Sequence, residues 1–167
     1  MNIKFDNTAK VLPVYGSFKD SLELAVTRGE DLSYVILEKV KMKGFSLRNA
    51  KLHHAKFTGS KINWTFFVGA DLRYADFTNC DLRGCVFMGA DLSHAKFTNA
   101  DLRHVDLSFT ICDYTNFKNV ILSEDDVLMG AVLEKAKFAE ALKKKNKPYH
   151  DPDLRASLKD LVGKRCG

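Results

Sequence analysis

The side chains that could do chemistry are few. Five histidines (His53, His54, His94, His104 and His150) and four cysteines (Cys80, Cys85, Cys112 and Cys166) are the candidate ligands and nucleophiles. A zinc site draws its ligands from tight pairs, and no C-x-x-C spacing occurs here. A nucleophile needs a base beside it in a cleft, and Ser93–His94 is a neighbouring pair of the right types. No GxxxxGK phosphate loop is present. Two charged groups could instead bind something. Asp71, Asp76, Asp81, Asp91, Asp101 and Asp106 recur at regular intervals, and Lys143, Lys144, Lys145 and Lys147 form the densest basic cluster. Such a cluster can contact nucleic acid or an anionic surface, or form a solvated helix end.

What positions these residues is a period of five. From Leu32 to Leu122 every fifth residue is apolar, for 19 positions without an insertion. Two places before each stands a small or β-branched residue, as in Ala50, Ala55, Ser60, Thr65, Ala70 and Ala75; Phe45 and Glu30 are the main departures. An amphipathic helix repeats every 3.6 residues and a half-buried strand every 2, so neither fits. A fixed internal repeat implies a stacked architecture in which neighbouring units bury one another. Cys80, Cys85 and Cys112 fall in this inward phase and read as small buried hydrophobes.

The segments ADLRY, ADFTN, CDLRG, ADLSH and ADLRH match the pattern A-(D/N)-L-x-x, and residues 30–124 resemble the pentapeptide-repeat family. The resemblance implies an all-β solenoid, a right-handed quadrilateral β-helix with four pentapeptides per coil. Its core would hold Leu52, Phe57, Phe67, Leu72, Phe77, Leu82, Phe87, Leu92, Phe97, Leu102, Leu107 and Phe117. Nearly five coils stacked at ~4.8 Å would stand ~23 Å tall. Some bacterial members resemble duplex DNA and bind DNA gyrase, so a topoisomerase-directed DNA mimic is the alternative functional expectation.

Twenty-residue columns support four repeats per coil. Phe57, Phe77, Phe97 and Phe117 share one column, and their corners read FTG, FTN, FTN and FKN, where Gly or Asn suits a positive φ. Another corner column is aromatic: Tyr34, His54, Tyr74, His94 and Tyr114. His54 and His94 would then lie two coils apart, ~9.6 Å at the ~4.8 Å rise, too far to share one metal ion. Ser93 and His94 would both face water, and a core filled by its own Leu and Phe offers no cavity. The expectation is therefore a non-enzyme without cofactor or metal. Asp81 and Asp101 share a column with Lys41 and Lys61, and Arg48, Arg73, Arg83 and Arg103 lie close by. Such a mixed surface does not imitate a phosphate ladder, and each Asp has a local role in bonding its own turn.

Both ends need covering. Residues 1–29 read as an N-terminal cap: a strand in KVLPVYG and a helix from Phe18 to Arg28, with Ser17 as N-cap and Gly29 as stop. Residues 125–167 read as a C-terminal helical cap and basic tail, all within one structural domain. Ser123 suits a helix start, and 131–142 reads either as two more pentapeptides, shifted by one residue, or as a helix. Asp151–Gly163 reads as a helix with Leu154, Leu158, Leu161 and Val162 on one face.

The anomaly is an apolar group at outward positions on the face of Leu47, Phe67, Phe87 and Leu107: Phe66, Val68, Val86 and Met88, with Trp64 at the adjoining corner. A patch of this kind is normally covered. The occupant is either the chain's own Leu154–Val162 or Leu142 region, or another protein, including a second copy; a homodimer through the C-terminal helix is the other dimer expectation. A protein-binding scaffold is thus the first functional expectation, by this patch or by the Tyr/His column, with nucleic-acid contact through Lys143–Lys147 as a lesser one. Net charge is +5 over 167 residues. Residues 30–124 are close to neutral, with 12 Lys/Arg against 11 Asp/Glu, while 125–167 carry 10 against 7. The opening stretch lacks the apolar run of a signal peptide and nothing approaches transmembrane length, so the expected location is cytoplasmic, without membrane contact.

Overall fold

The computed structural model describes residues 2–6, 11–14, 16–123, 131 and 137–138 of the chain. The expected C-terminal helices, the start of a helix after Ser123, Lys143–Lys147 and most of 131–142 lie outside the described residues.

The five-residue period becomes a turn every five residues, and the twenty-residue period becomes one circuit. Parallel bridges join residues twenty apart in four columns: Asp31, Lys51, Asp71, Asp91, Ile111; Ile36, Lys56, Asp76, Lys96, Asn116; Lys41, Lys61, Asp81, Asp101, Ile121; and Ser46, Phe66, Val86, Asp106. Each rung is a pair of backbone hydrogen bonds: Asp76 N–H donates to Ala55 O at 2.9 Å, and Phe57 N–H donates to Asp76 O at 2.8 Å. Between rungs the chain turns, as where Ala75 N–H closes onto Leu72 O at 3.0 Å. Sides this short are mostly single bridges, and only β3 (Val35–Ile36), β4 (Lys41–Lys43), β5 (Lys61–Asn63) and β6 (Asn116–Phe117) lengthen into strands within the circuit.

Every corner has positive φ. The values run from 55° at Lys39 to 70° at Gly59 and Gly84, and the occupants include Tyr, His, Trp, Phe and Lys as well as Gly and Asn. That extends the expectation drawn from Gly and Asn alone. A left-handed non-glycine costs ~1–2 kcal/mol, so the bulky corners need an offsetting contact. The corner aromatics find one in each other, as described below.

Inside, two stacks of phenylalanines interlock. Phe57, Phe77, Phe97 and Phe117 stack at 4.6, 4.9 and 5.1 Å between centroids. Phe67 and Phe87 stack at 4.9 Å and meet the first stack edge-on at 5.8–5.9 Å. These rings are buried, as are Leu52, Leu72, Leu82, Leu92, Leu102 and Leu107. The small inward column sometimes carries a polar atom, whose partner at four positions is the carbonyl 23 residues earlier. Thr110 instead donates to Leu107 O at 2.7 Å, and Thr65 Oγ1 is buried without a partner among the described residues. Ser60 donates to Leu37 O at 2.7 Å, Thr115 to Leu92 O at 2.7 Å, Cys80 to Phe57 O at 3.0 Å and Cys85 to Ile62 O at 2.6 Å. Burial pushes the thiols of Cys80, Cys85 and Cys112 up to about 12. All three should therefore resist alkylation in the folded protein, by roughly a hundredfold in rate or more relative to the unfolded chain, since the thiolate is the nucleophile. Mass spectrometry after iodoacetamide with and without denaturant checks this.

At the N-terminal end a β-hairpin of β1 (Asn2–Phe5) and β2 (Val11–Pro13) adds to the first circuit, β1 pairing antiparallel with both β2 and β3. Ile3 and Phe5 are buried and Lys4 exposed, the period of a strand with one covered face. Helix α1 (Phe18–Thr27) follows, with Ser17 Oγ accepting from Asp20 N–H at 3.0 Å and Arg28 as C-cap. Its Leu22 and Ala25 join the core, and the Phe18 ring meets Phe45 at 5.7 Å. The bulky residue in the small column is thus where the helix packs. At the other end β7 (Lys137–Phe138) pairs parallel with β6, Phe138 opposite Phe117. The offset is 21 rather than 20, the one-residue shift of the pentapeptide reading of this stretch. Among the described residues no helix is long and apolar enough to cross a membrane.

Candidate functional site

With Leu and Phe turned inward, any function belongs to outward positions. Three outward surfaces stand apart.

The first is the corner column. Tyr34, His54, Tyr74, His94 and Tyr114 form one continuous stack, with centroids 4.8, 4.7, 4.6 and 5.0 Å apart and planes within 15° of parallel. Each ring sits at φ 58–63°, and the coil rise alone sets the spacing that stacked rings prefer. His53 meets Tyr34 and His54 edge-on and is hydrogen-bonded to Ser33. Burial, with His53 and Arg73 nearby, holds His54 below the usual histidine range. The faces between Tyr34 and Tyr114 are used by one another, so along the column the rings offer their edges.

The second is the set of recurring Asp, spread over the four columns of rungs. Each Asp bonds its own turn: Asp76 accepts from Thr78 N–H at 2.9 Å, Asp91 from Ser93 N–H at 2.9 Å and Asp106 from Ser108 N–H at 2.8 Å. Arg73, Arg83 and Arg103 each reach back to the Asp two residues earlier through Nε and Nη2. Arg83 Nε also lies 3.7 Å from Asp101. The guanidinium beside Asp81, and likewise that beside Asp101, holds the carboxyl below the usual carboxylate range. Each of these carboxylates has Lys or Arg close by or a turn to bond, so no face carries a run of negative charge alone. Among the described residues no group of three or more His, Cys, Asp or Glu is placed to hold a metal ion.

The third is apolar. Phe66 and Val86 are paired on adjacent rungs; Val68 and Met88 follow them two residues on. Trp64 is 56% exposed, Met88 40% and Phe66 37%, with Val68 and Val86 half-buried. Of seven exposed large hydrophobic residues among those described, three lie here. The indole of Trp64 lies across Gly84: a Cβ at Gly84 would stand 2.5–2.8 Å from three of its ring atoms. The Arg48 guanidinium sits 4.9 Å above the Phe66 ring and borders a shallow depression lined by Glu23, Val26, Thr27, Gly29, Ser46 and Asn49. The sequence reading does not single out Phe109. It occupies a corner otherwise filled by Asn49, Gly69 and Gly89, half-buried at φ 58°, and extends the apolar surface by one rung. A bulky residue in a Gly/Asn column is the signal that marks it.

Comparison with known proteins agrees with this geometry. The family model for pentapeptide repeats matches in 8 copies over residues 31–63, 50–87, 67–103 and 85–123. No curated protein matches the sequence. Among solved structures, the pentapeptide repeat protein Rfr23 from the cyanobacterium Cyanothece 51142 is 22% identical with a TM-score of 0.55 over 56% of this chain. The match spans 63% of Rfr23, so the likeness concerns the fold. A pentapeptide repeat protein of the Arabidopsis thaliana thylakoid lumen is 25% identical over 87% of this chain and 81% of its own, with a TM-score of 0.49. QnrB1, a plasmid-mediated fluoroquinolone resistance protein, is 18% identical over 59% of this chain and 48% of its own, with a TM-score of 0.27. With its repeats, rungs and corners in register from residue 31 to residue 123, the chain belongs to the pentapeptide-repeat family.

Proposed function

We propose that this chain is a non-catalytic scaffold that binds another protein through the face of Phe67 and Phe87. The solenoid is taken as a right-handed quadrilateral of nearly five coils, with α1 and the hairpin covering one end and the C-terminal segment the other. The observation that supports binding is the contiguous group Trp64, Phe66, Val68, Val86 and Met88, exposed or half-buried on two adjacent rungs, which gathers three of the seven exposed large hydrophobic residues among those described. Burying such side chains against a partner gains ~25 cal/mol per Å² of apolar area, and aromatic anchors surrounded by smaller apolar contacts are the usual energetic centre of an interface. The pairing of Asp71, Asp81 and Asp101 with Arg73, Arg83 and Arg103 argues against imitation of a phosphate ladder, which needs one sign of charge.

The test is affinity capture with the full chain. Wild type should retain a defined partner, which is lost with Trp64→Asp or Phe66→Asp while the chain keeps a cooperative melt, since both side chains lie outside the buried core. Mass measurement in solution separates a second copy of the chain from a different protein. Retention of the same partner by both variants would sink the proposal.

A further inference from the structure

On the neighbouring face, over Met42 and Ile62, the first two rungs carry lysine at four outward positions: Lys39, Lys41, Lys43 and Lys61, all exposed. Lys41 and Lys61 are directly paired in the parallel register of β4 and β5. Like charges facing one another across a rung are destabilising. None of the four has an ion-pair partner among the described residues. Asp81, on the next rung from Lys61, is already held by Arg83 at 2.8 Å and by Asn63 Nδ2 at 2.7 Å. The lysines are therefore an unneutralised block on rigid backbone, with ~6.6 Å between i and i+2 along a rung and ~4.8 Å between rungs.

Trp64 closes this strip at its corner, directly after Asn63 of β5. Its indole rests one face on the Gly84 backbone, so the opposite face is open to solvent. A rail of regularly spaced cations beside a flat aromatic with one free face is the chemistry of a single-stranded nucleic-acid site, phosphates on the lysines and a base on the ring. A carboxylate tract would satisfy the lysines but leave the ring face unused, and the vesicle arm of the test below separates a lipid surface from a nucleic acid. Two rungs of lysine make a strip about one strand wide, too narrow to engage both backbones of a duplex.

We propose that Lys39, Lys41, Lys43, Lys61 and Trp64 form a site for single-stranded nucleic acid, read without sequence preference. This goes beyond the protein-binding proposal and shares only Trp64 with it.

Trp64 is the chain's one tryptophan, so its fluorescence reports on the site. Titration of the full chain with a twelve-residue oligodeoxythymidine at 50 mM salt should quench it. Four phosphate contacts imply that affinity falls roughly 50-fold between 50 and 200 mM salt. The double variants Lys41→Glu/Lys61→Glu and Lys41→Gln/Lys61→Gln should bind at least about tenfold more weakly. The Gln variant, which removes the like-charge pair, should keep its melting unchanged, whereas the Glu variant sets a new like-charge pair beside Asp81 and should melt somewhat lower. Trp64→Leu, followed by anisotropy of a labelled oligonucleotide, should lose about tenfold. Phe66→Asp and Met88→Asp should leave oligonucleotide binding intact, while the lysine variants leave protein capture intact, so the two proposals fail separately. No quenching at 50 mM salt overturns the site. So does binding unchanged in both lysine double variants, which would place it on the Lys143–Lys147 segment. Equal or tighter binding of polyglutamate, of vesicles of 30% phosphatidylserine, or of duplex DNA of the same length would equally overturn it.

Discussion

Phe77→Ala should destabilise the protein by ~3–5 kcal/mol, the range for removing a buried aromatic ring. Phe77 stacks on Phe57 at 4.6 Å and on Phe97 at 4.9 Å, and the edges of Phe67 and Phe87 close on it at 5.8 Å. The surrounding backbone is tied to the rungs above and below, so it has little freedom to collapse into the space left. In a solenoid each circuit is supported only by its neighbours, and a void at the middle rung weakens both halves. Tyr74→Ala, three residues earlier in the same circuit, provides the contrast. Tyr74 stacks just as closely, at 4.7 Å on His54 and 4.6 Å on His94, but on the outside; the loss should be about 1 kcal/mol. Urea denaturation of both variants checks the difference. Equal losses would mean that the outer column, not the inner stack, holds the circuits together.

Gly84→Ala is the second large effect, expected at about 1–3 kcal/mol with a change of surface as well. The residue has φ 70°, where an L side chain is strained. Its new Cβ would stand 2.5 Å from Trp64 Cε3, and the indole must lift away. Displacement of the ring should shift the emission of the single tryptophan to longer wavelength, and this readout separates the contact from backbone strain alone. Gly89→Ala is the control: it has φ 68° and nothing within 4 Å of a Cβ, so it should lose stability through strain without moving the emission. Identical spectra for the two variants would show that Trp64 does not rest on Gly84.

The repeat made the inside of this molecule legible. Once Leu32 to Leu122 hold one phase, the inward residues, the twenty-residue columns and the stacking of Phe57 on Phe77 follow from chain geometry. The departure at Phe45 likewise marked the place where α1 packs. The positions of the corners were legible throughout, but their positive φ only where they were Gly or Asn. Tyr74 and Trp64 contradict local preference at φ 60° and 56°, and what reconciles them is a contact with the next circuit, which no single repeat displays. Strand β1 was hidden because it pairs antiparallel with β3 and belongs to no repeat. The apolar patch was visible as broken pattern at Phe66, Val68, Val86 and Met88. The lysine strip was not, because Lys41 and Lys61 read as part of a mixed column until Asp81 proved to be engaged by Arg83 and Asn63.

The same physics explains why the family's Asp is a poor guide to function in this chain. Each carboxylate has its own turn to bond, and three of them have their own arginine two residues on. The outward positions of the patch and the strip bond no turn of their own, and there the chain is free to be selected for contact.

The most direct measurement is site-resolved photocrosslinking in the full chain. A benzophenone side chain placed at position 88 lies in the apolar patch, and one at position 94 lies in the aromatic column a little more than one pentapeptide away. The account predicts a discrete crosslinked protein adduct from position 88, abolished when Phe66→Asp is added, and none from position 94. An adduct of the same protein from position 94, or one from position 88 that survives Phe66→Asp, would contradict it.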